Sequence, residues 1–135
     1  MKIQPDTRKK LIDEIKFIIN KMEKEEDPKQ KLYYFSGIHG VLSRIFNFEY
    51  DPELVFAHVI FNFTYSNIQA RLSQEEKIIK IPDELFDKLV ITTKELLNKI
   101  EKNESLCDAL QKFAVMAYLT TGNGYYLYKR GLLRL

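Results

Sequence analysis

Residues 51–71 read DPELVFAHVIFNFTYSNIQAR, and the fold turns on whether this stretch is a helix or a strand. Between Val55 and Tyr65 every odd position is apolar and strand-forming residues are abundant, which is the pattern of a long central strand. Two features favour a helix. Pro52 suits a first helical position because its φ is pre-set and it has no N–H to lose, and Asp51 before it can accept from the free N–H groups of the first turn. The neighbouring segments also read as helices, so a helix from Pro52 to about Arg71 is expected and a strand over 54–65 is the alternative.

The same punctuation divides the rest of the chain. Asp27-Pro28 and Ile81-Pro82 open two more helix-length segments, predicted over 28–46 and 82–102. Ahead of them Leu11, Ile12, Ile15, Ile18, Ile19 and Met22 make one apolar stripe, so a first helix is expected over 6–26. The stripe of the second helix reads Leu32, Phe35, His39, Leu42 and Phe46, with Ser36, Gly37, Gly40 and Ser43 beside it as small residues that admit a close neighbour. The fourth helix would bury Leu85, Leu89, Thr92 or Thr93, Leu96 and Ile100, widened by Phe86, Val90 and Leu97. A fifth, over 105–121, would be capped by Ser105 and ended by Gly122 and Gly124, glycines that tolerate positive φ. Ser73-Gln74-Glu75-Glu76 has the form of a capping box for a short turn ahead of Pro82. The expected fold class is all-α: one domain, 1–135, a compact bundle of five principal helices with short connections, sequence neighbours mostly antiparallel, and a short C-terminal arm.

Composition bounds the function. A chain of 135 residues with 45% hydrophobic content can bury a core, and 21 basic against 19 acidic residues give a formal +2, too little for a nucleic-acid role without a local patch. Cys107 is the only cysteine, so no internal disulfide forms, and the default expectation is a buried, inert thiol. Met1 to Lys10 is polar where an export signal needs an apolar run, and a cytoplasmic location is expected. His58, Asn62, Asn67 and Gln69 interrupt the uncharged stretch 54–70, so it is not a membrane span; it is expected to be the central, most buried helix.

Three surfaces could carry function. His39 and His58 lie about eight residues before and seven after the turn at 47–51, hence at similar height. Were their faces to converge, with a carboxylate such as Asp13, Glu14, Asp87 or Asp108, they could hold a metal; no Glu-x-x-His occurs, and structural histidines on different faces are expected. His58, Asn62, Tyr65 or Ser66, and Gln69 form a polar stripe suited to a subunit interface or a small ligand. Ten of the seventeen Phe and Tyr residues fall between Tyr33 and Tyr65, and Phe48 and Tyr50 in the turn would cover the hairpin end or meet another chain. After Asp108 no acid occurs: Tyr125, Tyr126 and Tyr128 are interleaved with Lys129, Arg130 and Arg134, as an RNA or single-strand surface would require. Leu127, Leu132, Leu133 and Leu135 argue instead for docking on the bundle or on a second subunit. No phosphate-loop, nucleophile or cofactor motif is present, and none of these readings calls for a cofactor. The reading is therefore a non-catalytic helical interaction or assembly module, a homo-oligomer or a subunit of a complex. Nucleic-acid binding and a small-ligand or metal site at His39 and His58 are the alternatives.

Overall fold

Asp27 and Asp51 cap the helices that their prolines open: Asp27 accepts from the Lys29 N–H at 3.2 Å, and Asp51 from those of Glu53 and Leu54 at 2.9 and 3.1 Å. The structure, a computed structural model, describes residues 1–74 and 78–135. Its elements are α1 (Pro5–Lys24), α2 (Pro28–Ile45), α3 (Pro52–Leu72), α4 (Asp83–Glu101), α5 (Cys107–Leu119) and α6 (Gly122–Lys129). The strand alternative over 54–65 is thereby ruled out. Pro5 opens α1 as the other prolines open theirs, a start the sequence reading placed one or two residues later. Ser73 is the C-cap of α3, whereas Glu75 and Glu76 of the expected capping box lie outside the described residues.

Five helices close a ring in the order α1, α2, α3, α5, α4 and back to α1, with α2 also meeting α4 across the middle. Two contacts fix the direction of α3 against α5. The Leu106 N–H donates to Glu53 Oε1 at 2.6 Å at one end, and Arg71 Nε donates to the Thr120 carbonyl at 2.7 Å at the other, so the two helices run parallel. Most sequence neighbours are also spatial neighbours, with one exception. Among the described residues α3 and α4 do not pack together, because α5 fills the place beside α3.

The ring encloses a single apolar core. Its centre is a trio of phenylalanines, Phe35 from α2, Phe61 from α3 and Phe113 from α5, with ring centroids 5.3 to 5.7 Å apart. Two of the three pairs are edge-to-face, the arrangement in which the positive ring edge meets the negative face. Thr64, fully buried beside them, donates to the Ile60 carbonyl at 2.7 Å and also lies 3.3 Å from the Phe113 carbonyl, so its hydroxyl is not left unpaired in the core.

Several details differ from the sequence reading. The buried side of α2 is Leu32, Phe35, Ile38, Val41, Leu42 and Ile45, so His39 and Phe46 sit at its margin. The small-residue face of α2 is split. An added Cβ at Gly37 would lie 3.3 Å from Ile18 Cδ1, marking where α1 approaches, while Gly40 meets nothing nearer than the Arg44 guanidinium at 3.8 Å. Leu106, not Ser105, is the N-cap of α5, although Ser105 Oγ accepts from the Cys107 N–H at 3.2 Å. Gly122 and Gly124 do not end α5 through positive φ. They lie in α6, where Thr121 caps the Gly124 N–H at 3.0 Å and a Cβ on Gly124 would fall 1.7 Å from the Tyr118 carbonyl oxygen. Among the described residues those at positive φ are Asn103 and Gly131, each just past the C-cap of a helix.

At the end where α1, α3 and α5 begin, carboxylates hold the leading segment. Asp51 accepts from the Lys2 N–H at 2.7 Å, and Glu49 from the Gln4 N–H at 3.0 Å and from the Thr7 hydroxyl. Arg8 donates to the Ile100 carbonyl and to Asn103 Oδ1, both at 2.9 Å, joining α1 to the end of α4. Burial pushes the Asp51 carboxyl up, but the N–H groups of Lys2 and Leu54, the Met1 ammonium and the Glu53 N–H together outweigh it and hold the group below its ordinary value. A carboxyl depressed on folding stabilises the native state above its unfolded pKa, and that contribution is lost as pH falls through the folded value. Asp51→Ala is expected to cost about 2 kcal/mol at neutral pH, from the lost cap and the lost Lys2 tie. Urea unfolding at pH 7 and at successively lower pH should show the gap between wild type and variant narrowing below about pH 4. An unchanged midpoint at pH 7 would contradict the assignment.

Candidate functional site

His39 and His58 do meet, contrary to the expectation that they occupy different faces. With His39 on the α3 side of α2 and His58 on the α2 side of α3, their rings stack at a centroid distance of 4.0 Å and an interplanar angle of 25°. Phe46 closes the stack edge-on, 5.5 Å from His58. The Ser43 hydroxyl donates to the His39 carbonyl at 2.9 Å, and with its proton so committed its oxygen accepts from His58 Nε2–H at 3.1 Å. The alternative would leave two oxygens face to face with no proton between them. Stacked rings aim their nitrogen lone pairs along parallel planes and not at a common point, a poor start for chelation. Among the described residues no group of three or more His, Cys, Asp or Glu side chains could hold a metal ion. Of the carboxylates considered as completing ligands, Glu14 is held by Arg44 at 3.0 Å, and Asp108 lines a different cleft.

The remaining polar stripe of α3 does not gather into a pocket. Asn62 and Ser66 are exposed, Tyr65 packs against the core, and Gln69 donates to Ser73 Oγ at 3.2 Å. Nor is α3 the most buried helix. Its core side is Leu54, Ala57, Phe61, Thr64 and Ile68, and its opposite side carries Phe56, Val59 and Phe63 at 50, 58 and 49% exposure. Ser66 and Ala70 continue that row, also exposed, and no formal charge occurs from Leu54 to Ala70. Sequence reasoning missed this row as a surface. The sequence signals only that some side must be exposed, because a helix apolar on every side cannot bury every side against one bundle; the packing of α2 and α5 selects this one. Phe48 and Tyr50, in the turn at the start of the same helix, are exposed.

The C-terminal residues divide differently. Leu133 and Leu135, with Tyr125 and Tyr128, pack against the chain's own core, Leu127 is half-buried, and Leu132 stands out in solvent. Tyr128 donates to Glu84 at 3.0 Å. Lys129 lies over the Tyr125 ring at 5.9 Å and Arg130 over the Tyr126 ring at 5.3 Å, so these cations are already placed on their own aromatic faces. Of the three tyrosines Tyr126 alone is exposed, which leaves one ring where a stacking platform uses several. Arg134 and Leu135 instead form part of the wall of a cleft of about 530 Å³ between α4 and α5. There Lys88 and Lys112 face Glu95 and Asp108, and the Lys112 to Glu95 ion pair at 2.7 Å leaves the cleft without a dominant sign of charge. Cys107 is exposed, not buried as expected, with Gln111 Nε2 3.6 Å from its sulfur.

Among the described residues no helix is long and apolar enough to cross a membrane. Comparison with protein-family models, with curated proteins and with solved structures gives no match.

The stacked histidines carry a pH signature. Burial lowers the His58 pKa, the neighbouring His39 lowers it further, and a hydrogen bond to the His39 backbone only partly opposes them. An imidazole depressed on folding binds its proton more readily in the unfolded chain. Its contribution to stability is therefore complete above the ordinary value of about 6.5 and falls away as pH drops below it. The thermal midpoint of wild type is expected to fall from pH 7.5 to 5, and His58→Phe, which keeps a ring in the stack, to flatten that slope. Equal slopes in the two proteins would show that the pair is not the source.

Proposed function

We propose that the chain is a non-catalytic helical assembly module that joins other protein through the outward side of α3. The observation that carries this reading is the row Phe56, Val59 and Phe63, about half exposed on a helix with no formal charge from Leu54 to Ala70. A solvated helix face normally bears Lys, Glu or Arg, as the outer sides of α1 and α4 do here. Exposed apolar residues scattered singly are ordinary, but three in a row, extended by Ser66 and Ala70, form the kind of patch that marks a protein contact. The geometry of the other surfaces adds weight: the histidines stack instead of converging, and Lys129 and Arg130, at the end of α6, lie over tyrosines of the same segment.

The native size of the chain in extracts of its own cells tests this reading. Wild type is expected to elute above its 16.0 kDa monomer mass, and Phe56→Ser with Phe63→Ser to return it to monomer size without unfolding it. Monomeric wild type both in extract and when purified at tens of micromolar, or assembly indifferent to the double substitution, would overturn it.

A further inference from the structure

The row on α3 has a register as well as a polarity. Phe56, Val59, Phe63, Ser66 and Ala70 alternate steps of three and four residues, the spacing of a seam between two helices. Its large residues lie in the first half and its small ones in the second. Resting on the assembly reading above, we propose that the occupant of this face is a second copy of the same chain, with the two α3 helices antiparallel across a two-fold axis at the level of residue 61.

Size complementarity selects that arrangement. Antiparallel pairing about residue 61 sets Phe56 against Ser66 of the second copy and Val59 against its Phe63, and the same pairs recur on the other side of the axis. Each of these layers then holds one larger and one smaller side chain, and Ala70 falls opposite Pro52. Parallel in-register pairing would crowd Phe56 on Phe56 at one end and leave Ala70 facing Ala70 at the other, and both overpacking and voids are unfavourable. An identical partner also satisfies the charge condition, because two copies of an uncharged face bring no charge into contact and leave none desolvated. Asn62 flanks the seam next to the axis, where it would meet Asn62 of the second copy. A carboxamide both donates and accepts, so it pairs with its own image.

Area sets the strength. A half-exposed phenylalanine leaves roughly 100 Å² to bury, so Phe56, Val59 and Phe63 supply about 300 Å², well short of the roughly 800 Å² per partner of a standard interface. The adjoining rim of α2 extends the surface. Ser43, exposed, uncharged and in contact with His58, lies beside α3. A face of this extent falls among weak, reversible contacts and not obligate ones.

Sedimentation equilibrium of the purified full chain from about 1 to 200 μM is the test, bracketing the micromolar range. Wild type is expected to interconvert between monomer and dimer. Val59→Glu, and independently Ser66→Glu, should weaken association at least tenfold while leaving helical content and thermal midpoint unchanged, since both positions are exposed in the monomer. Orientation is read by cysteine pairing in a Cys107→Ser background. Asn62→Cys should form a disulfide dimer under mild oxidation, whereas Phe56→Cys should not, its copies lying about 15 Å apart along the seam. A monomer across the whole range, a dimer unaffected by both glutamates, or faster cross-linking through Phe56→Cys overturns the proposal. If purified protein is monomeric but the complex in extract still depends on Phe56 and Phe63, the second-copy proposal falls and the assembly reading stands. If neither is seen, both fall.

Discussion

The contact among Phe35, Phe61 and Phe113 is the one on which the rest of the arrangement depends. It draws α2, α3 and α5 to a common point, and the Thr64 hydroxyl adds a polar tie from α3 to the α5 backbone in the same layer. Large rings dominate buried area, so the helix faces bearing these three residues must turn inward, and everything else on those helices follows from that rotation. With Phe61 inward, Ala57, Thr64 and Ile68 go with it at steps of three and four residues. Val59 and Phe63, two positions either side of Phe61, then go outward. The surface argued to carry function is the geometric complement of the core contact.

The same rotation brings the two histidines together. With the core side of α2 at Phe35, Ile38 and Leu42, His39 lies at the edge nearest α3, where His58 lies at the edge nearest α2. Their stack therefore belongs to the seam between two helices and needs no ligand to explain it. Half-buried imidazoles held by a serine hydroxyl and a phenylalanine edge satisfy the rule that buried polar groups find partners. Charge at this seam opposes packing, which ties the pH response of the fold to the same pair of helices that presents the apolar row.

At the opposite extreme from the aromatic centre, the bundle is closed by carboxylates acting on backbone. Asp51 caps α3 and also holds the segment ahead of α1, while Glu53 receives the first N–H of the α5 turn. Two acids in one turn thus fix the starts of three helices. Anionic groups suit helix N-termini, where unpaired N–H groups and the helix dipole favour negative charge, so α1, α3 and α5 can all begin at the same end of the bundle.

The sequence by itself determined the elements that are set by local chemistry. Asp27-Pro28 and Asp51-Pro52 start helices because a capping carboxylate and a fixed φ act within a few residues, and the apolar stripes of α1 and α4 mark their buried sides because helical period alone decides which residues share a face. Where stripes were ambiguous the sequence was not enough. α3 is apolar around its whole circumference, so nothing local distinguishes Phe61, which is buried, from Phe63, which is exposed; the partners α2 and α5 made that choice. The stack of His39 on His58 depended on a modest rotation of α2 that Ile38 and Ile45 impose by burial. Placement of α5, and not α4, beside α3 depended on Phe113 and on the Glu53 and Arg71 contacts at its two ends, and no local pattern encodes these because their partners are about fifty residues apart along the chain.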